Sequence, residues 1–112
     1  MPDYLLMIVG DDDAYQALSE EQGKEIYAGH GAFIEALHAA GVKQGPSAEL
    51  SPPSGARTLH AGGLVTDGPF AEAKEQVGGY YTIDVPTIED AVEWARRIPL
   101  LPGDKIEVRR QK

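Results

Sequence analysis

The chain has 112 residues, enough for one folded domain over residues 1–112, and its 42% content of hydrophobic residues can supply a core. Its 18 acidic side chains against 10 basic ones give a net charge of −8, which repels polyanions and disfavours direct nucleic-acid binding. The absence of cysteine excludes disulfides, thiolate zinc sites and cysteine nucleophiles.

The first predicted element is a strand at Tyr4–Val9, in which both alternating sets of side chains are apolar. A strand of this kind requires cover on both faces. Its six residues are too few for a signal sequence or a membrane span, so we expect a cytoplasmic protein without membrane contact. Three consecutive carboxylates, from Asp11 to Asp13, end the strand.

A long helix follows, with predicted bounds at Glu20 and Ala40. Ser19 and Gln22 have the spacing of a capping box at its start. Gly41 is suited to the left-handed conformation that commonly follows the end of a helix.

The middle of the chain is predicted to hold short strands and loops. Residues 42–50 form a weak strand pattern interrupted by glycine and proline, and residues 51–55 have the composition of a mobile loop. Residues 57–60 and 64–66 flank two glycines that can adopt the positive φ of a hairpin turn. We therefore expect a short hairpin there.

The last third of the chain is predicted to form a strand at Tyr80–Val85, a helix capped by Thr87 and a strand at Lys105–Arg109. The resulting order is the split βαβ pattern of a ferredoxin-like α+β fold. Two helices can cover one face of the sheet. The apolar second face of the first strand therefore predicts a homodimer in which two sheets meet.

The most distinctive motif is VTDGPFAEAKEQVGGYYTIDV, which spans residues 65–85. Residues 67–70 are typical of a tight turn, and residues 71–76 predict a short helix that ends at Gly78. Together with the opening DYLLMIVGDD, the helix GAFIEALHAAGV and the closing AVEWARRIP and IEVRR, this motif resembles the YCII-related family. The resemblance is to the branch named for its DGPF motif.

The resemblance implies a ferredoxin-like fold that pairs into a dimeric α/β barrel, in a family where most members have no established activity. In the broader family a histidine on the first helix belongs to a His-Asp active site, and His30 stands at the matching position. Relatives occur joined to or beside extracytoplasmic-function sigma factors, which implies transcription control as an alternative role.

Two residues are candidates for acid–base catalysis. His30 is either a core histidine bonded to the backbone or an active-site group. Asp67 is either the cap of the turn before the short helix or the carboxylate partner of His30. We expect the two side chains to meet within direct or single-water reach.

Two further residues are candidate substrate ligands. Lys74 is either part of a solvated helix face or a cation that holds an anionic substrate. Tyr80 is either a sheet residue at a dimer interface or a hydrogen-bond donor into a cavity. The sequence contains no glycine-rich phosphate loop, HExxH motif or nucleophile elbow, which argues against NTP binding, zinc-protease activity and α/β-hydrolase activity. We predict no metal and no cofactor.

Two hypotheses about function remain open. The first is a cofactor-free enzyme or small-molecule-binding homodimer that uses isomerase- or lyase-like proton transfer. The second is a non-catalytic regulatory or ligand-sensing module that acts through protein contacts in sigma-factor-linked control. A cleft where polar groups meet favours the first hypothesis, whereas a sealed cavity without them favours the second.

Overall fold

The computed structural model describes residues 3–71 and 73–112, and these form an antiparallel sheet with helices packed against one face. The elements in chain order are β1 (Asp3–Asp11), α1 (Asp12–Gln16), α2 (Glu20–Ala39), β2 (Lys43–Gln44), β3 (Ala48–Glu49), a 3-10 turn (Pro53–Gly55), β4 (Arg57–Leu59), β5 (Val65–Asp67), β6 (Glu75–Asp84), α3 (Ile88–Ala95) and β7 (Lys105–Arg110).

The main sheet has the strand order β2-β6-β1-β7, with β3 also paired to β6, while β4 and β5 form a separate hairpin. β6 is antiparallel to β1 and β2, so β1 and β2 run parallel to each other on either side of it. β7 is antiparallel to β1 and therefore parallel to β6. The connection from β1 to β2 contains α1 and α2, and the connection from β6 to β7 contains α3, so two βαβ units interleave. The predicted α+β class is confirmed.

The helix bounds follow from the predicted caps. The Ser19 hydroxyl accepts from the backbone N–H of Gln22 while the Gln22 side chain accepts from the Ser19 backbone, which completes the capping box of α2. Gly41 follows the helix with φ of 73°. At the start of α3, the Thr87 hydroxyl accepts from the backbone N–H of Asp90.

The core lies between the helices and one face of β1 and β6. Its buried hydrophobic residues are Tyr4, Leu6, Phe33, Leu37, Tyr81, Ile83, Val85, Ala91, Ala95 and Ile98. Leu5, Met7 and Val9 alternate with the buried residues of β1 and are only half-buried on the opposite face. The apolar second face predicted for this strand is therefore present and incompletely covered by the chain itself.

The prediction of a short helix at residues 71–76 is wrong for the residues of that segment that the structure describes. Glu75 and Gln76 already belong to β6, where they pair with Asp11 and Gly10 of β1. Cross-strand pairing along the whole of β1 outweighs the weak helix propensity of a six-residue segment. Gly78 does not end an element, because it lies inside β6 at the register shift opposite Ile8 and Val9.

A short helix that the sequence pattern did not predict follows β1. The carboxylate of Asp11 accepts from the backbone N–H of Asp13, and so the charge run that ends the strand also caps α1. Asp12 and Asp13 occupy the first turn, where the helix dipole favours negative charge. The helix places Tyr15 close to β3, where the Tyr15 hydroxyl donates a hydrogen bond to Glu49.

The predicted hairpin forms, with Gly62 and Gly63 at φ of 98° and 101°. Its large apolar side chains are exposed, including Leu59 and Leu64 at 71% and 65%. The hairpin therefore contributes little to the core of the single chain.

Two glycines of α2 provide a stability prediction. A Cβ at Gly31 would meet no atom within 4 Å, whereas one at Gly29 would lie 3.0 Å from Cγ of Pro99. We expect Gly31→Ala to stabilise the protein by about 0.5–1 kcal/mol, because alanine loses less backbone entropy in a helix. Gly29→Ala should stabilise the protein less than Gly31→Ala or destabilise it, because the new methyl group would press against Pro99. Chemical denaturation measures both, and an equal gain at the two positions would contradict the contact with Pro99.

Candidate functional site

A cavity of about 590 Å³ opens between α1, α2, β3 and the adjoining ends of β1 and β6. Apolar side chains from the sheet and α2 form part of its wall, and several polar side chains face the same space. A volume of this size is within the range of small-molecule sites. The cavity is therefore the part of the described chain best suited to bind a ligand.

His30 and Tyr81 form the hydrogen-bonded pair at this cavity. His30 Nδ1 lies 2.6 Å from the hydroxyl oxygen of Tyr81, and the two rings are stacked with centroids 5.7 Å apart. The Tyr81 ring also packs against Phe33, with centroids 4.8 Å apart. Core packing thus fixes the phenol that orients the imidazole.

Burial sets the protonation states of this pair. It lowers the pKa of His30 below the ordinary value of 6.5, although the negative charge of Glu49 acts in the opposite direction. Burial also raises the pKa of Tyr81. At neutral pH the pair is therefore an imidazole and a phenol, both uncharged, and the tautomer of the imidazole decides which of them donates.

A second polar cluster lies at the exposed rim of the cavity. The hydroxyl of Tyr15 donates to Oε2 of Glu49 at 2.9 Å, and that of Tyr27 donates to Oε1 and Oε2 at 3.0 and 2.9 Å. The pKa of Tyr15 is raised by burial and by its hydrogen bonds to Tyr27 and Glu49. Three elements, α1, α2 and β3, therefore converge on one carboxylate.

Three further carboxylates line the cavity, those of Asp11, Asp12 and Asp104. Asp104 Oδ2 accepts from the backbone N–H of Leu101, and the side chain packs where a Cβ on Gly10 would collide with it. The lining includes no lysine or arginine within residues 3–71 and 73–112. The formal charge that the cavity presents is therefore negative.

The structure brings His30 to the cavity but places Asp67 elsewhere. Asp67 lies at the end of β5, where its Oδ1 is 3.1 Å from Nε of Arg57 and its side chain is 90% exposed. It is not among the residues that line the cavity. Within one chain, His30 is thus paired with Tyr81 and not with Asp67.

The two predicted substrate ligands also differ in position. Lys74 is exposed and lies outside the cavity lining. Tyr80 belongs to the lining, but strand alternation directs its side chain to the face opposite that of Tyr81. Tyr80 pairs there with Met7 of β1.

Sequence reasoning missed Tyr15, Tyr27, Glu49 and Tyr81 as site residues. One signal was available, because Tyr27 precedes His30 by three positions on α2 and therefore shares its helix face. Glu49 and Tyr15 had no such signal, since they are 34 positions apart and lie in elements of two and five residues.

Among the described part of the chain, no group of three or more histidine, aspartate or glutamate side chains is arranged to hold a metal ion. No helix within that part has the length and apolar character needed to cross a membrane.

The chain is similar to known sequences over most of its length. The profile of the YCII-related domain matches residues 3–110. An uncharacterized protein of Rhizobium meliloti (strain 1021) is 38% identical over 96 residues, which cover 83% of this chain and 77% of that protein.

Proposed function

The chain belongs to the YCII-related family, and we propose that it binds a small molecule in the cavity beside α2 and transfers a proton there without a cofactor. The observation that carries this proposal is the hydrogen bond of 2.6 Å between His30 Nδ1 and the Tyr81 hydroxyl. It joins a neutral imidazole to a neutral phenol at the wall of a cavity, which is the arrangement of a general base and a hydrogen-bond donor.

In the proposed reaction, His30 carries its hydrogen on Nδ1 and donates it to the Tyr81 oxygen. The Nε2 lone pair then accepts a proton from the ligand, while the Tyr81 O–H donates to a ligand oxygen that gains negative charge. The negative charge of Glu49 favours the imidazolium that forms. Return of the proton to another ligand atom gives an isomerisation, and departure of a leaving group instead gives an elimination.

The proposed assembly is a homodimer of two ferredoxin-like chains that closes into an α/β barrel. The half-buried Leu5 and Met7 on the open face of the sheet support this proposal, because a second sheet would remove them from water. The sequence DGPF at residues 67–70 supports placement in the branch named for that motif. We also propose a cytoplasmic location.

A ligand-sensing module is the second candidate function. The exposed apolar residues of the β4–β5 hairpin and Phe70, which is 90% exposed, favour it because such side chains suit a contact with another protein. The two candidates differ in turnover. A sensing module binds its ligand without converting it, and substitution of His30 then changes affinity alone.

The proposed role of His30 is tested by its titration in NMR. We expect a pKa below 6.5, because burial disfavours the imidazolium, and a further decrease in Glu49→Gln, because the opposing negative charge is removed. Proton transfer by neutral His30 should therefore increase as the pH rises through this pKa. The unfolded chain binds the proton more readily, so folding stability should be lost as the pH falls from 6.5 through the folded-state pKa.

Asp67→Asn is the matched control for that titration. Because Asp67 is paired with Arg57 outside the cavity, its removal should leave the His30 pKa unchanged. The pairing predicted from sequence requires instead that the pKa fall in Asp67→Asn, and it stays a prediction until this measurement. A His30 pKa above 6.5 in the wild-type protein, or ring-nitrogen shifts that do not respond to Tyr81→Phe, would contradict the proposed base.

A further inference from the structure

We infer that the cavity beside α2 binds an organic cation, a primary ammonium group attached to an apolar or aromatic body. This inference rests on the proposed function, since it concerns the same cavity. It is carried by the charges, the phenols and the apolar wall that the folded chain brings together from α1, α2, β3, β6 and the turn before β7.

The charges of the wall have one sign. Four carboxylates line the cavity, belonging to Asp11, Asp12, Glu49 and Asp104. Each of these side chains is bonded to a neutral donor, and none has an ion pair with lysine or arginine in the described chain. A carboxylate or phosphate ligand would meet uncompensated like charge, whereas an ammonium group would supply the missing positive charge.

Glu49 is the group best placed to bind the ammonium. Its two oxygens accept phenol hydrogens from Tyr15 and Tyr27, which fix the carboxylate at the rim. A carboxylate offers about four acceptor positions, so it can still accept from an ammonium N–H. The two tyrosine rings beside it add the cation–π attraction that aromatic rings offer to a cation.

The apolar part of the cavity wall indicates that the rest of the ligand is apolar. Ile8, Ile26, Ile34 and Leu101 line the cavity together with the rings of Tyr81 and Pro99. A small ligand that places its ammonium at Glu49 can bury an apolar body against these side chains.

Three probes of similar size and different charge test this inference: benzylammonium, benzyl alcohol and benzoate. Binding is followed by the NMR shifts of His30 and the tyrosines and by calorimetry at low ionic strength. We expect benzylammonium to bind about tenfold more tightly than benzyl alcohol, as an ion pair at a rim and a cation–π contact together allow. Benzoate should bind more weakly than both, and added salt should reduce the advantage of the cation.

Glu49→Gln should reduce the advantage of benzylammonium over benzyl alcohol to about threefold or less. Glu89→Gln is the matched control, because Glu89 is an exposed carboxylate in the first turn of α3, outside the cavity, and it should change nothing. Equal binding of all three probes, or an advantage that survives Glu49→Gln, would overturn the cation inference while leaving the cavity as a binding site. Failure of every probe to shift His30 or Tyr81 would count against the proposed function itself.

Discussion

Replacing Leu6 by aspartate is expected to unfold the protein. Leu6 has no exposed surface and lies on the side of β1 that faces α2 and α3, beside Tyr81 and Val108 on the neighbouring strands. Loss of a buried leucine costs about 2–5 kcal/mol, and an unpaired buried charge costs about 3–5 kcal/mol more. The sum approaches the whole stability of a typical domain, about 5–15 kcal/mol.

Leu5→Asp is the matched control for this substitution, because it makes the same change one residue away on the opposite face. Leu5 is half-buried, and its neighbour on β7 is Arg109, which can accompany the new carboxylate. We expect Leu5→Asp to remain folded and to dissociate the proposed homodimer. Circular dichroism reports folding and light scattering reports mass.

The two substitutions separate the core from the proposed interface. A folded Leu6→Asp protein with an unchanged melting temperature would contradict the core assignment of that residue. A wild-type protein that scatters light as a monomer at micromolar concentration would overturn the homodimer, whatever the result for Leu6. If Leu5→Asp stays dimeric, the two chains meet through another surface.

Local sequence signals predicted most of the fold because they act over a few residues. The capping box at Ser19, the glycine at position 41 and the Thr87 cap each fix a helix end through contacts within one turn. The predictions failed where the structure of a segment depends on a residue that is distant in the sequence. Residues 71–76 have good helix propensity, but the part of them at Glu75 and Gln76 is bound to β1 instead.

The candidate site was less predictable for the same reason. His30 was identified because it stands on the apolar side of a helix, but its partner Tyr81 is 51 positions away. The alternation of β6 predicted that Tyr81 faces inward, and no local pattern indicates which inward side chain meets the imidazole. Asp67 was predicted as the partner of His30 because it begins the DGPF motif. In the structure, the carboxylate that influences the pKa of His30 is that of Glu49, which lies in a strand of two residues.

The second large effect is expected from Gly79→Ala, which should displace β3 from the sheet. A Cβ at Gly79 would lie 2.9 Å from the carbonyl oxygen of Ala48 and 3.6 Å from Cα of Glu49. The first contact is too short and involves backbone, so β3 must move. β3 is held mainly by two residue pairs with β6 and by the hydrogen bond from the Leu50 N–H to the Gly78 oxygen.

Displacement of β3 should affect both stability and the site. We expect Gly79→Ala to cost about 1–3 kcal/mol of stability, as overpacking typically does. Because Glu49 belongs to β3, its hydrogen bonds to Tyr15 and Tyr27 should weaken and the pKa of His30 should fall, as in Glu49→Gln. Denaturation measures the first effect and NMR titration the second.

The adjacent glycine supplies the control for this prediction. A Cβ at Gly78 would meet no atom within 4 Å, and its φ is not positive, so Gly78→Ala should be tolerated without change in the His30 titration. If only Gly79→Ala is destabilising, the cause is the close approach of β3. If both substitutions are destabilising, this part of β6 does not tolerate side chains in general. If Gly79→Ala keeps the wild-type stability and the wild-type His30 pKa, then the close approach of β3 to Gly79 is contradicted.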